Sequence, residues 1–190
     1  TWFNGRGLRI IAMISTYHMA LVAMISMIPL YLQEFHGLSS SETGIAYAVM
    51  VLVGAVGQPF IGRLSDRVGR RKVIVLGNGL AAIAAFSVRY FEQEGWFFAI
   101  LGALLIGVAL LEFVRSAILA GAVEYAGSRE GATLGFAFSL MDGIGAFGAV
   151  LAGWVASFYF SNAFLLAGGL ALLAVLACFT VSLQVTAARR

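Results

Sequence analysis

Long apolar stretches alternate with short polar ones along this 190-residue chain. Each apolar stretch approaches or exceeds the roughly 20 residues that an α-helix needs to cross the hydrocarbon core of a bilayer. The pattern therefore predicts an all-α membrane protein, a bundle of six transmembrane helices that forms a single domain over residues 1–190. The expected helices cover residues 8–32, 44–64, 73–90, 96–124, 131–158 and 162–183.

Composition also indicates a lipid environment. Hydrophobic residues make up 61% of the chain and charged residues only 11%, whereas ordinary soluble domains carry roughly 25% charged residues. A soluble domain of this size could not bury so much apolar surface. The net charge of +3 is small and no basic run is interleaved with aromatic residues, so nucleic acid is not an expected partner. We expect a multi-pass protein of a plasma membrane (bacterial or archaeal inner membrane), with the lipid bilayer as a partner.

The basic residues predict how the helices are oriented. If six helices alternate in direction, ten of the 12 Lys and Arg residues fall on one side: Arg6, Arg9, Arg63, Arg67, Arg70, Arg71, Lys72, Arg129, Arg189 and Arg190. Arg89 falls on the other side, and Arg115 lies inside the fourth helix. Because cytoplasmic loops are rich in Lys and Arg, both termini are predicted to be cytoplasmic. The three helices before residue 93 and the three after it would form a 3+3 inverted repeat.

The loop between the second and third predicted helices carries the most specific pattern, GRLSDRVGRRK, from Gly62 to Lys72. Gly62 would let the end of a helix approach a neighbour, and Gly69 would allow a turn that a side chain hinders. Asp66 is an anion among five cations. It can pair with an arginine or face the positive end of a helix.

This pattern resembles the signature loop of the major facilitator superfamily, in which glycine, leucine, aspartate, arginine and glycine have these spacings before closing basic residues. The resemblance implies two six-helix bundles around a central cavity, which moves solutes by alternating access. It also implies a conformational-switch loop that holds the bundles together on the cytoplasmic side and releases them when they part. Its expected members are Gly62, Asp66, Arg67, Gly69, Arg70 and Arg71.

A second cytoplasmic loop is expected to complete this switch. Residues 124–130, from Glu124 through Arg129, look like the matching loop between the fourth and fifth helices. The resemblance implies that this loop pairs with the arginines of the first. We therefore expect Glu124 to contact Arg67 or Arg70.

Six helices are half of the twelve that are usual in this family, so a second six-helix bundle is an expected partner. Arg115 is followed by Ser-Ala-Ile-Leu rather than by the family's first-half pattern, and Gly148 is followed by alanine rather than proline. Together with Thr1 in place of a start methionine and the Arg-Arg ending, these departures favour the second half. A natural half-size protein that dimerises is the alternative.

Charged side chains inside the predicted helices are candidate substrate and proton sites, because their burial in hydrocarbon is costly. Glu112 and Arg115 are three residues apart and share a helical face. They form either a structural ion pair or a cavity site, in which Arg115 holds a substrate anion and Glu112 carries a proton. Asp142 has no local counter-charge. It can carry a proton, meet a partner bundle, bind a substrate cation or join an internal polar network.

Three uncharged or titratable side chains complete the candidate set. His18, beside Tyr17, titrates near physiological pH and would allow proton coupling. A hydrogen-bonded structural histidine is an equally good interpretation. Gln58 precedes Pro59, and packing hydrogen bonds explain it more simply than substrate binding does.

The sequence predicts a transporter rather than an enzyme. It contains no phosphate-binding loop and no metal-ligand cluster, so we expect no cofactor, no metal and no ATP-driven step. The expected function is proton-coupled secondary transport of a small solute, with export of drug-like compounds as the first hypothesis and sugar or organic-acid transport as the alternative. A non-transporting scaffold or sensor with the same fold is a further alternative, but such a protein would gain nothing from the cost of burying charge. A channel is disfavoured, because the sequence has no re-entrant filter loop.

Overall fold

The computed structural model describes residues 4–126 and 130–181. These residues form six helices: α1 (Gly5–His36), α2 (Ser40–Val68), α3 (Arg70–Gln93), α4 (Phe97–Ala126), α5 (Glu130–Ala156) and α6 (Asn162–Thr180). Six helices are long and apolar enough to cross a membrane. The predicted all-α bundle of six transmembrane helices is therefore confirmed.

Several helices extend beyond the apolar stretches that predicted them. The α1 helix has 32 residues and is about 48 Å long at 1.5 Å per residue, whereas the hydrocarbon core is roughly 30 Å thick. Its first turn is capped by Asn4, whose side chain accepts a hydrogen bond of 2.8 Å from the Gly7 N–H. At the start of α2, Ser39 and Glu42 form a capping box, as the sequence predicts. These polar caps satisfy backbone N–H groups in the first turns of α1 and α2, so both helices begin before their apolar stretches.

The α5 helix ends earlier than the sequence predicts. The α5 helix ends at Ala156 instead of residue 158, and a turn follows it. The α6 helix ends at Thr180, and the predicted end of this helix at residue 183 lies outside the described residues. The apolar run is thus longer than the helix at the end of α5, because apolar side chains also fill the turn.

Five pairs of helices provide most of the packing: α3 with α4, α1 with α5, α1 with α6, α2 with α4, and α3 with α6. Exchanging α1 with α4, α2 with α5 and α3 with α6 returns the same five pairs. This symmetry is the one expected of two three-helix repeats. The contacts of α2 with α1 and with α3 are minor. The helices of each repeat therefore pack mainly against helices of the other repeat.

The α1 and α5 helices approach closely at Gly148. A Cβ atom at this position would lie 2.8 Å from the Cα of Met19 and 3.0 Å from its carbonyl carbon. Backbone atoms cannot rotate away as a side chain can. Small residues at such crossings let transmembrane helices gain packing contacts that lipid cannot supply.

Arg89 joins α3 to the turn before α6 at the end of the bundle away from the Gly62–Lys72 loop. Its guanidinium donates a hydrogen bond of 3.0 Å to the Ser161 hydroxyl and lies 3.8 Å from the centre of the Tyr159 ring. A Glu92 carboxylate oxygen is 3.9 Å away. Beside this group Tyr31 is fully buried among aromatic rings, so aromatic side chains fill this end of the bundle.

Candidate functional site

Glu112 of α4 is the centre of a polar cluster within the membrane-spanning part of the bundle. The Gln58 side-chain amide of α2 donates a hydrogen bond of 2.8 Å to Oε2 of Glu112. A guanidinium nitrogen of Arg115 lies 3.9 Å from the same oxygen. Glu112 is only 8% exposed. Its charge is thus met by one hydrogen bond and one cation, which a buried carboxylate requires.

A glycine brings α2 close enough for this hydrogen bond. A Cβ atom at Gly54 would lie 2.6 Å from the Cβ of Glu112, so α2 rests directly on α4 there. Gln58 follows Gly54 by four residues, which places both on the same face of α2. The close approach at Gly54 therefore sets Gln58 beside the carboxylate.

Tyr17 and His18 extend the cluster into α1. The Tyr17 hydroxyl donates a hydrogen bond of 3.0 Å to the carbonyl oxygen of Leu111, the residue before Glu112. Tyr17 is fully buried and lies within electrostatic range of Glu112 and Arg115. Its hydroxyl therefore ties α1 to α4 at the level of the charged pair.

His18 interacts electrostatically with charges on both α4 and α5. Its ring centre is 6.0 Å from that of Tyr17, and it is within electrostatic range of both Arg115 and Asp142. The residue is buried, and its Nδ1 atom has no hydrogen-bond partner within residues 4–126 and 130–181. An ionisable ring whose Nδ1 atom has no hydrogen-bond partner among the described residues thus interacts with a cation and an anion.

Arg115 connects this group to α5. Its guanidinium carbon lies 5.9 Å from the centre of the Phe138 ring, one turn before Asp142. Asp142 itself is exposed on the bundle surface. The structure thus brings together five of the six sequence-predicted candidates, Tyr17, His18, Gln58, Glu112 and Arg115. The sixth, Asp142, is related to them only by its electrostatic interaction with His18.

The loop predicted to act as a conformational switch is organised around Arg70. A guanidinium nitrogen of Arg70 lies 2.5 Å from a Glu124 carboxylate oxygen, so the expected contact is present. The same guanidinium donates hydrogen bonds of 2.9 Å to the Ala120 carbonyl and 3.3 Å to the Asp66 carboxylate. Arg70 therefore joins the ends of α2, α3 and α4 within one bundle.

The remaining members of this loop have different surroundings. Arg71 donates a hydrogen bond of 3.4 Å to the Phe179 carbonyl and lies 4.9 Å from the centre of the Phe179 ring. Arg67 is exposed and forms no salt bridge in the part of the chain that the structure describes. Gly69 has a φ of 100°, which explains the glycine at this turn. Arg129 lies outside the described residues.

At Gly62 the contact of α2 with α4 within this bundle is an ordinary one. A Cβ atom there would meet the Ser116 hydroxyl oxygen only at 3.7 Å, an ordinary contact distance. Tighter contacts of α2 with α4 lie earlier in α2, at Gly54 against Glu112 and at Gly57 against the Phe113 ring. Sequence reasoning missed Gly54 and Phe138, although the four-residue spacing of Gly54 and Gln58 indicated a shared face.

Comparison with known proteins gives the family. The model of the Major Facilitator Superfamily matches residues 10–189. Multidrug resistance protein MdtG of Proteus mirabilis is 37% identical over 83 residues, which cover 41% of this chain and 20% of that protein. Raffinose permease of Escherichia coli is 29% identical over 151 residues, which cover 76% of this chain and 34% of the permease.

An uncharacterised MFS-type transporter of Mycobacterium tuberculosis is 31% identical over 99 residues, which cover 51% of this chain and 22% of that protein. The matched stretch is thus about a third or less of each relative's length. The fold agrees with these matches, since all six helices can span a membrane. This chain belongs to the Major Facilitator Superfamily, whose members are multi-pass membrane transporters.

Proposed function

We propose that this chain forms half of a secondary active transporter that moves a small solute by alternating access, coupled to protons. The observation that carries the proposal is the polar cluster of Gln58, Glu112 and Arg115, held within a membrane-spanning bundle. Charge at this depth is costly and a purely structural bundle does not need it. A second six-helix bundle, in the same transporter or in a dimer, covers the face that carries these residues.

Glu112 is the proposed proton carrier. Its carboxylate shares Oε2 between the Gln58 amide and the Arg115 guanidinium. Protonation of the carboxyl would remove the charge that attracts Arg115, which then becomes available to a substrate anion. His18 and Asp142 lie within the same electrostatic network and are the proposed route for protons between α4 and the partner bundle.

Arg70 and its partners are the proposed conformational switch. They lie at the end of the bundle that carries most of the basic residues, which we assign to the cytoplasm. Gly62, Asp66, Arg67, Gly69, Arg70 and Arg71 would dock against the partner bundle in one state and separate from it in the other. Glu124, in the last turn of α4, and Arg129 would complete this contact.

Export of drug-like amphiphilic compounds is the proposed activity, and the similarity to a multidrug resistance protein supports it. Sugar transport is the second candidate, because raffinose permease matches a larger share of the chain. The charged pair next to the Phe138 ring suits an amphiphile with an ionised group better than a neutral sugar.

The test is solute-driven proton movement in liposomes that contain the intact protein. A panel of lipophilic dyes, organic acids and raffinose would be added under an imposed pH gradient, and internal pH would be followed by fluorescence. Glu112→Gln and Asp142→Asn should each reduce coupled proton flux at least tenfold. Glu94→Gln, an exposed change in the turn after α3, is the matched control and should keep the full flux.

The proposal fails if no solute moves protons and Asp142→Asn leaves every signal unchanged. The protein would then be a scaffold or sensor with a transporter fold. Steady single-channel currents would indicate a channel instead. Movement of raffinose without any drug-like compound would favour the sugar candidate.

A further inference from the structure

A long apolar groove runs along the outside of the bundle, over α4 and between α2 and α3. Its volume is about 490 Å³, and its walls include Ile61 and Leu64 of α2, Leu76 and Leu80 of α3, and Leu110 and Phe113 of α4. The groove exists because α2 and α3 both pack on α4 but make few contacts with each other. A second groove of about 630 Å³ shares Leu80 and Leu110 and continues along α3 as far as Phe91.

The groove lies on the side of α4 away from the proposed transport site. Leu110 and Phe113 line it, whereas Glu112 and Arg115 belong to the polar cluster. At 3.6 residues per turn, these two pairs of side chains leave α4 in roughly opposite directions. The partner bundle is expected on the polar face, so the groove faces lipid.

Lys72 stands at one end of the groove and is the only charged residue among its lining side chains. Arg70 is occupied by Glu124, Asp66 and the Ala120 carbonyl, and Arg71 by the Phe179 carbonyl and ring. Lys72 forms no salt bridge with any residue that the structure describes. Of three consecutive cations, the one at the groove is therefore free to bind an anion.

The position of Lys72 matches the boundary between acyl chains and headgroups. From Lys72 to Leu80 the α3 axis rises about 12 Å, close to the depth of one leaflet of a roughly 30 Å hydrocarbon core. A lysine can lay its methylene stem along apolar surface while its ammonium stays at the interface. The start of α3 has no side-chain cap, and its positive end adds to the attraction for an anion.

We propose that this groove is a binding site for one anionic phospholipid, whose acyl chain lies against α2, α3 and α4 and whose phosphate pairs with Lys72. An apolar groove of leaflet depth with a free cation at its end complements both the acyl chain and the phosphate of such a lipid. Basic sites beside transmembrane helices bind anionic headgroups by the same attraction. This site is independent of the polar cluster and of the transported solute.

The test measures lipid binding to the intact protein by native mass spectrometry. The detergent-purified protein would be titrated with phosphatidylglycerol or with phosphatidylethanolamine of identical acyl chains. Phosphatidylglycerol should bind more tightly, and Lys72→Gln should weaken its binding about fivefold, as expected for the loss of one interfacial cation. Lys72→Arg should keep most of the affinity. Arg63→Gln is the matched control, because it removes an exposed cation that does not line the groove.

The apolar part of the site has its own test. Leu80→Trp would fill the groove and should weaken phosphatidylglycerol binding, whereas Leu172→Trp on α6, another exposed apolar position, should not. Glycerol 3-phosphate in excess should fail to displace the lipid, since it lacks an acyl chain. Thermal unfolding would verify that each variant is folded. If Leu80→Trp does not fold, the difference in phosphatidylglycerol binding between Lys72→Gln and Lys72→Arg tests the proposal.

Several results would overturn the proposal. Equal binding of the two lipids, or equal loss in Lys72→Gln and Arg63→Gln, would mean that a diffuse positive surface attracts lipid. Displacement by glycerol 3-phosphate would mean a simple phosphate site. A dimer that dissociates on Leu80→Trp would mean that a second copy of the chain occupies the groove.

Discussion

Arg70 and Glu124 face each other across the contact of α3 with α4, with 2.5 Å between a guanidinium nitrogen and a carboxylate oxygen. Arg70 also holds the Ala120 carbonyl and Asp66. We expect Arg70→Ala to lower the free energy of unfolding by about 2 kcal/mol, because it loses several charge-assisted hydrogen bonds at once. Glu124→Gln should cost about 0.5–1 kcal/mol, since the Glu124 side chain is 33% exposed and partly screened by solvent.

Denaturant unfolding in detergent would measure both changes. Arg67→Ala is the control, since Arg67 is exposed and lacks a salt bridge among the described residues, and it should stay within about 0.5 kcal/mol of the parent. A Glu124→Gln cost equal to that of Arg70→Ala would contradict the network described above.

Gly148 sits where α5 meets the backbone of Met19. Gly148→Ala should destabilise the protein by about 1–3 kcal/mol, because an added methyl group overpacks a contact that only a backbone shift can relieve. Gly153→Ala is the matched control, since a Cβ atom at that position has no neighbour within 4 Å. The melting temperatures of the two variants in the same detergent would be compared. An equal melting temperature for both would show that α1 and α5 can separate without cost.

Arg89 contacts Ser161, Tyr159 and Glu92 at the end of the bundle away from the Gly62–Lys72 loop. Arg89→Gln should cost about 1–2 kcal/mol, because the hydrogen bond to a charged donor and the contact with the Tyr159 ring are both weakened. Hydrogen exchange at the turn before α6 should become faster, while exchange in the middle of α4 should not change. Ser157→Ala, in the same turn, is the control, since the Ser157 hydroxyl donates its hydrogen bond to the Trp154 carbonyl. Faster exchange throughout the bundle in Arg89→Gln would point to global rather than local loosening.

The charge pattern predicts which loops face the cytoplasm. In a Cys178→Ala background, Glu94→Cys should react with a membrane-impermeant maleimide added to intact cells. Arg63→Cys and Arg129→Cys should react only after the membrane is permeabilised. Labelling of Arg63→Cys and Arg129→Cys from opposite sides would contradict the six-helix alternation itself.

Hydropathy was sufficient to predict the number and order of the helices, because each crossing requires about 20 apolar residues whatever its partners are. It could not give the helix ends, since polar caps such as Asn4 and Ser39 continue a helix outside the hydrocarbon. The pairing of Glu112 with Arg115 followed from their spacing along one helix.

The remaining contacts of the cluster depend on distances between helices, which spacing along the chain does not encode. The bond from Gln58 to Glu112 requires the close approach of α2 at Gly54. The bond from Tyr17 to the Leu111 carbonyl joins residues that are 94 positions apart. Periodicity indicates that such side chains face inward, but only the three-dimensional packing decides which of them meet.

The exchange symmetry of the helix pairs has a consequence for biosynthesis. The main partners of α1 are α5 and α6, so α1 must remain in the bilayer without them until both have been synthesised and inserted. Until then its buried tyrosines are surrounded by acyl chains or by the insertion machinery. Insertion and assembly are therefore separate stages for this protein, and nascent chains that stop short of α5 would be natural targets for quality-control proteases.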